Sequence, residues 1–404
     1  MQKKEALAAG ASTTGLKLHG WMFQGSKIVR IDGFEVACPL PERVGNSRGF
    51  FENRVSLLVR LTTADGIVGW GETWAYPAAA AALIRADLGP QLLGRSVGAP
   101  RPLHDLMLAK IGIDRRGTFY HAISALDLAV WDAFARCARV PLHEALGGAL
   151  RERVFAYVSG PFMKPGADPY RDFPQDIDGY LKRGFRAIKL RIGTEPIRDA
   201  ELIRRVRDLV GRDIYLMADL NQGSTVSATL ELAPQLAANN FRWLEEPIIF
   251  DDLPGYRRLA ERMPVALAGG ESLVGVAGFR DFVAPRVFDI VQPDLALCGG
   301  FSEGLKIAAL CEAFEIPVVP HVWGTLVNLH ASLHFAAILP EKRGQGIPAP
   351  LLEYDHSYNP FRTLCGDFKL DSDGCIKLPD GPGLGFELDP EKLKPFLVNH
   401  WTLQ

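Results

Sequence analysis

FRAIKLRIG, residues 185–193, reads as a β-strand that ends on a glycine. Side chains alternate along a strand, so Lys189 and Arg191 share one face while Ile188, Leu190 and Ile192 share the other. The apolar face marks the strand as buried, and two cations side by side on a buried strand require an anionic partner. The same short apolar pattern recurs on both sides: RVFAYVSG (153–160), DIYLMADLN (213–221), FRWLEEP (241–247), VALAGGES (265–272), VFDIVQPDL (287–295), IPVVPHVW (316–323) and APLLEYD (349–355). Amphipathic stretches such as RDAELIRRVRDLVG (198–211) and VSATLELAPQLAANN (226–240) lie between them. Nearly all-apolar strands alternating with helices predict a parallel sheet covered on its outer face, and eight such units over roughly two hundred residues predict a TIM-type (β/α) barrel over 151–358.

The flanking segments read differently. KIVRIDGFEVAC (27–38) and VSLLVRLTTADGIVGWGET (55–73) predict antiparallel strands, with a turn at Asp65-Gly66, and HAISALDLAVWDAFARCA (121–138) predicts a buried helix. Together they make an α+β capping domain over 27–150. Between the strands, the segment 40–54 reads as a long polar loop that folds over the barrel mouth, where Arg43, Arg48 and Asn53 would meet the distal end of a substrate. From Asn359 to residue 404 the chain is rich in Pro and Gly, with short strands in GCIKLP (374–379) and GFELD (385–389), and is expected to return to the capping domain. Residues 1–26 read as an extension; Gly10, Ser12, Thr13 and Thr14 interrupt its alanine-rich piece, unlike a signal peptide.

Bulk composition narrows the partners. The 404 residues carry a net charge of −2, so no nucleic-acid or membrane surface is expected. Cys38, Cys137, Cys298, Cys311, Cys365 and Cys375 form no CxxC pair and read as reduced thiols of a cytoplasmic protein.

In such a barrel the site lies at the C-terminal strand ends, where the polar residues of this chain collect. Asp219, Glu245 and Glu271 follow one another at intervals of 26 residues, one βα unit each, which predicts three carboxylates at one height on neighbouring strands. Such a trio does not stay ionised without a cation, and hard oxygen ligands select Mg²⁺. The plainer alternative, helix caps or surface pairs, does not call for acids on three consecutive strands. Asp294 and His321 end the next two strands and pair as a His-Asp general base. Glu353 ends the last strand, as a substrate contact or as a cap of the barrel. Asn221, Arg48 and Trp323 are further candidate substrate contacts. HASLH (His330, His334) lacks the glutamate of HExxH and reads as helix packing, while LCGGF (297–301) reads as a tight turn.

With those residues placed, the chain resembles the enolase superfamily, mandelate racemase subgroup. The resemblance rests on Lys189-Leu190-Arg191, ADLNQ (218–222), WLEEP (243–247), GGES (269–272), VQPD (291–294) and PHVWGT (320–325). DIVQPDLALCGGFSEG (289–304), EYDHSYNPFR (353–362) and LPDGPGLGFEL (378–388) are similar to the D-galactarolactone cycloisomerase-like and acid-sugar dehydratase members. The resemblance implies a barrel of the modified (β/α)7β form, a capping domain completed by the tail, and a homo-oligomer. It also implies a Mg²⁺-assisted removal of the proton next to a substrate carboxylate, with Lys189 against that carboxylate. The second cation of the motif is ordinarily a lysine base; here it is Arg191, which stays protonated and is a poor base. A racemase needs a proton carrier on each face, whereas elimination needs one. The expected reaction is therefore β-elimination from an acid sugar or its lactone, by dehydration or ring-opening cycloisomerisation, with His321 as base. A racemase or epimerase is the alternative, and a non-catalytic degenerate barrel a second one.

Overall fold

The computed structural model describes residues 26–112, 116–342 and 350–404. The extension read over 1–26 lies outside these residues except for Ser26. The first unit is an antiparallel sheet of β1 (Ile28–Asn46), β2 (Gly49–Thr63), β3 (Val68–Thr73) and β12 (Leu397–Leu403), in the order β12-β1-β2-β3. The helix Thr118–Ala138 packs across it. That contact is close because Gly69 and Gly71 line the sheet beneath the helix; a Cβ on either would collide with the carbonyl of Ala129 or Ala125. On the same helix, buried Asp132 accepts the N–H groups of Trp70 and Leu384, each at 2.8 Å, and so ties helix, sheet and tail together.

The segment expected to be a polar loop, 40–54, is instead the far end of a long β-hairpin. Val44 pairs with Phe51 and Asn46 with Gly49, and the register shifts between Pro39 and Val44. Two prolines and a run of charge hide the strand in the sequence, because this end of the hairpin is stabilised by the barrel rim rather than by a core face of its own. Gly45 exchanges backbone hydrogen bonds with Met163, and the Ser47 hydroxyl donates to the Leu220 carbonyl.

The second unit is a curled sheet of β4 (Arg153–Ser159), β5 (Ala187–Arg191), β6 (Tyr215–Asp219), β7 (Phe241–Glu245), β8 (Ala266–Gly269), β9 (Ile290–Val291) and β10 (Leu351–Asp355), with β10 closing against β4. The expected strand IPVVPHVW is reduced to one bridge, Val318 with Val291. Pro317 and Pro320 lack the N–H that a central strand donates, so only Val319 N–H reaches the Val291 carbonyl. Counting that position, eight strand positions alternate with seven helices, from Phe173–Lys182 to Leu326–Ile338, which is the (β/α)7β form. Tyr157, Met217, Trp243 and Val319 fill the barrel interior.

The tail serves both units. Leu397–Leu403 joins β1, with Trp401 lodged against Gly33, while β11 (Cys375–Lys377) pairs antiparallel with β4 of the barrel. GFELD, expected to be a strand, is irregular. No helix among the described residues is long and apolar enough to cross a membrane.

Gly71→Ala is expected to destabilise the protein by about 1–3 kcal/mol through overpacking against the helix. Chemical denaturation followed by circular dichroism reads this as a lower midpoint; an unchanged midpoint contradicts the close contact.

Candidate active site

Parallel pairing brings Arg191, Asp219 and Glu245 directly abreast at the ends of β5, β6 and β7. Glu245 stands opposite Ala268, so Glu271 lies three residues further on, in the loop after β8, rather than on the strand at the same height. The loop carries it back over the site: one oxygen each from Asp219, Glu245 and Glu271 falls within a span of 4.8 Å. Burial pushes all three carboxyl groups up, and their mutual repulsion adds to it. Asp219 is held by the Asn221 N–H at 2.7 Å and by the Asn221 amide at 2.9 Å. Asn221 takes the left-handed backbone, φ 42°, to make both bonds. Glu245 is held by the Trp243 indole at 3.1 Å and the Gln292 amide at 2.7 Å. Glu271 Oε2 is buried and meets His321 Nε2 at 3.0 Å.

The two cations of the opening strand meet these acids. Lys189 is fully buried; its Nζ pairs with Glu245, with Glu353 at 2.8 Å and with Asp219 at 3.7 Å. Burial works against its charge, but Glu245, Glu353 and Asp219 outweigh it and hold the ammonium well above its ordinary range. Arg191 donates to Asp219 at 2.8 Å, to Asn221 at 3.1 Å and to Ser159 at 3.0 Å, and its guanidinium lies 4.7 Å from the Phe162 ring centre. Asp219, Glu353 and Glu271 likewise outweigh burial and raise its pKa. With Asp219, Glu245, Glu271 and Glu353 ionised, four carboxylates face Lys189, Arg191 and the imidazole of His321, so even a protonated His321 leaves an excess of negative charge. A divalent cation fits both that charge and the three carboxylate oxygens of Asp219, Glu245 and Glu271 that converge within 4.8 Å. The second acid of WLEEP, Glu246, stays out of this count: burial and then Glu271 push its carboxyl well above its ordinary range.

His321 faces the trio. Its Nδ1 lies 2.8 Å from Asp294 Oδ2 and its Nε2 3.0 Å from Glu271 Oε2. Burial disfavours its charge, but Glu271, Glu353 and Asp294 together raise the imidazole to about 10. Glu353 accepts the Val322 N–H at 2.9 Å and pairs with Lys189, so it buttresses both cation and His321 loop from beneath. His330 and His334 belong to the helix interior, with His334 stacked on His143. Gly299 and Gly300 of LCGGF turn with positive φ at the start of the helix Gly300–Ala313.

A cavity of about 720 Å³ opens above these groups. Arg191, Asn221, Glu271, His321 and Trp323 of the barrel line it, with Arg48 and Asn53 of the hairpin opposite. Lys189 and Glu353 are sealed beneath its floor. Arg43 pairs with Glu52 at 3.2 Å on the outside of the hairpin and does not line it. Two lining residues escaped the sequence reading. Arg54 of β2 is buried, 2.7 Å from Asp355, with its guanidinium 3.6 Å from the Trp323 ring centre. Trp74, just past β3, donates to Asp294 at 2.8 Å. Strand alternation places Arg54 on the face of buried Ser56 and Leu58, which is the signal that was available.

Known proteins resemble this chain in sequence and fold. The profile of the mandelate racemase / muconate lactonizing enzyme N-terminal domain matches residues 34–147, and that of the enolase C-terminal domain-like family matches residues 172–392. D-galactarolactone cycloisomerase of Agrobacterium fabrum is 35% identical over 352 residues, covering 86% of this chain and 92% of the relative. Arabinonate dehydratase of Saccharolobus solfataricus is 32% identical over 349 residues, covering 84% and 90%. Among solved structures, a racemase from Streptomyces coelicolor A3(2) with bound magnesium superimposes with a TM-score of 0.82 at 29% identity, covering 92% of this chain and all of that one (100%). Sequence and fold together place the chain in the mandelate racemase / muconate lactonizing enzyme family of the enolase superfamily.

Proposed function

We propose that the protein is a Mg²⁺-dependent enzyme of acid-sugar breakdown, removing the proton α to a carboxylate of an acid sugar or its lactone and then eliminating a β substituent, as a dehydratase or a ring-opening cycloisomerase. The names of the two curated relatives support the substrate class. The observation that carries the one-sided chemistry is the pairing of His321 on Asp294 against an Arg191 locked by Asp219, Asn221 and Ser159.

In this reading Asp219, Glu245 and Glu271 hold Mg²⁺, which when bound supplies Lewis-acid stabilisation of the charge that develops on the substrate carboxylate. With Glu271 engaged by the ion, His321 Nε2, which otherwise pairs with that carboxylate, would be free to take the α-proton, while Asp294 holds the proton on Nδ1 and stabilises the imidazolium that forms. Arg191 and Asn221 orient the substrate anion at the floor, and Lys189 adds positive charge from beneath. Arg48 and Trp323 contact the rest of the molecule. After the α-proton has gone, the leaving group on the β carbon departs with its electron pair, and His321 is the group placed to return a proton. The free cysteines, Cys38 and Cys298 among them, support residence in the cytoplasm.

Removing one ligand carboxylate weakens binding of the ion and keeps the side chain's shape, though it also takes one anion from buried Lys189 and Arg191. Asp219→Asn is expected to lower Mg²⁺ affinity by more than the roughly 10–100-fold that loss of an outer-shell partner costs, and to abolish turnover. Isothermal titration with MgCl₂ checks this directly, and wild-type affinity would exclude Asp219 as a ligand.

His321→Asn is expected to keep Mg²⁺ binding and slow α-proton removal by about 10²–10⁴-fold. The measurement is NMR-detected exchange of the substrate α-proton in D₂O, after a screen of acid sugars and sugar lactones for 2-keto products. Exchange at the wild-type rate would assign the proton to another base.

Because Arg191 carries no removable proton, exchange is expected for one configuration of the α-carbon and not for its epimer. Exchange of both epimers, with one of them lost in Arg191→Met, would make Arg191 a base and the protein an epimerase.

A further inference from the structure

β3 of the cap ends at Thr73, and alternation aims Glu72 and Trp74, on either side of it, at the barrel. The Trp74 indole N–H donates to Asp294 Oδ2 at 2.8 Å, the same oxygen that faces His321 Nδ1 at 2.8 Å. The other oxygen, Oδ1, takes the Ala296 N–H at 2.8 Å and the Asn328 amide at 3.0 Å. Each carboxylate oxygen has two lone pairs, so Asp294 is saturated and its plane is fixed. Glu72 is fully buried and accepts the Thr325 N–H at 3.0 and 3.1 Å, together with the Thr325 hydroxyl. Gly324, at φ 92°, leaves room for that contact, since a Cβ there would collide with Glu72 Oε1. The segment from His321 to Thr325 is thus anchored to Asp294 at its start and to Glu72 of the cap at its end.

We propose that Trp74 and Glu72 are positioning residues of the cap domain that hold the His321–Asp294 dyad in register: Trp74 through the dyad carboxylate, Glu72 through the His321-bearing loop. The inference rests on the reading of His321 as the base. Its physical content is that Oδ2 is shared. With the indole in place, Asp294 has no free lone pair with which to rotate towards water, and His321 keeps its Nδ1–H on Asp294 and its Nε2 towards the cavity. A tryptophan that served only to pack the two domains together would not need its N–H on this oxygen.

Trp74→Phe removes the N–H and keeps a ring. In the full chain, loaded with MgCl₂ and labelled with ¹⁵N-histidine, the Nδ1–H resonance of His321, assigned by its loss in His321→Asn, is expected to move downfield, because Asp294 Oδ2 then has one donor instead of two. With a substrate from the acid-sugar screen, kcat is expected to fall about tenfold while KM and Mg²⁺ affinity stay within about twofold. Glu72→Gln, which tests the second anchor, is expected to lower kcat in the same direction with KM unchanged. An unmoved His321 resonance in Trp74→Phe overturns the proposal, as does unchanged kcat in both variants. A moved resonance in a protein that turns over no acid sugar supports the positioning role and counts only against the proposed reaction.

Discussion

Lys189 and the acids around it set the terms for the rest of the structure. A fully buried ammonium shared among Glu245, Glu353 and Asp219, with Glu271 nearby, is a costly arrangement in a protein interior. The barrel supports it by rigid means: parallel register puts Arg191, Asp219 and Glu245 abreast, and Trp243, Gln292 and Asn221 satisfy the outward lone pairs. What remains is an excess of negative charge around three converging carboxylate oxygens. A protein selected only for stability would have apolar side chains there, and the retained strain marks the place where binding energy is needed.

The cap domain is more than a lid over this cluster. Its long hairpin delivers Arg48 and Asn53 to the rim and buries Arg54 against Trp323. Its third strand reaches the dyad with Trp74 and the His321 loop with Glu72. The close packing permitted by Gly69 and Gly71 fixes the sheet against its helix. Displacing the sheet would therefore be felt at His321 as well as at the cavity mouth.

In the proposed reaction, Arg191 would set the symmetry of the chemistry. It bonds Asp219, Asn221 and Ser159 and is raised, not lowered, in pKa by the surrounding acids. A lysine in this place would have the same charge but a proton that a neighbouring cation makes easier to lose. With guanidinium on one side and imidazole on the other, the two faces of the proposed substrate carboxylate would be chemically unequal.

The strand-and-helix alternation and the convergence of Asp219, Glu245, Glu271, Asp294 and His321 were legible in the sequence, because a parallel barrel converts regular spacing along the chain into adjacency in space, although Glu271 reaches the site from the loop after β8 rather than from the strand. The exceptions are local. Prolines cut the strand before His321 down to a bridge, the hairpin 40–54 looks like a loop because the barrel rim stabilises it, and the tail strand 397–403 buries little besides Trp401. The roles of Arg54, Glu72 and Trp74 belong to the tertiary structure alone. Each lies far along the chain from its partner, Asp355, Thr325 or Asp294, and no periodicity within one domain encodes a contact across two. The sequence by itself determined which chemistry the barrel holds, through spacing and residue type; only the folded chain decided what aims that chemistry, because aiming depends on side chains brought together from separate domains.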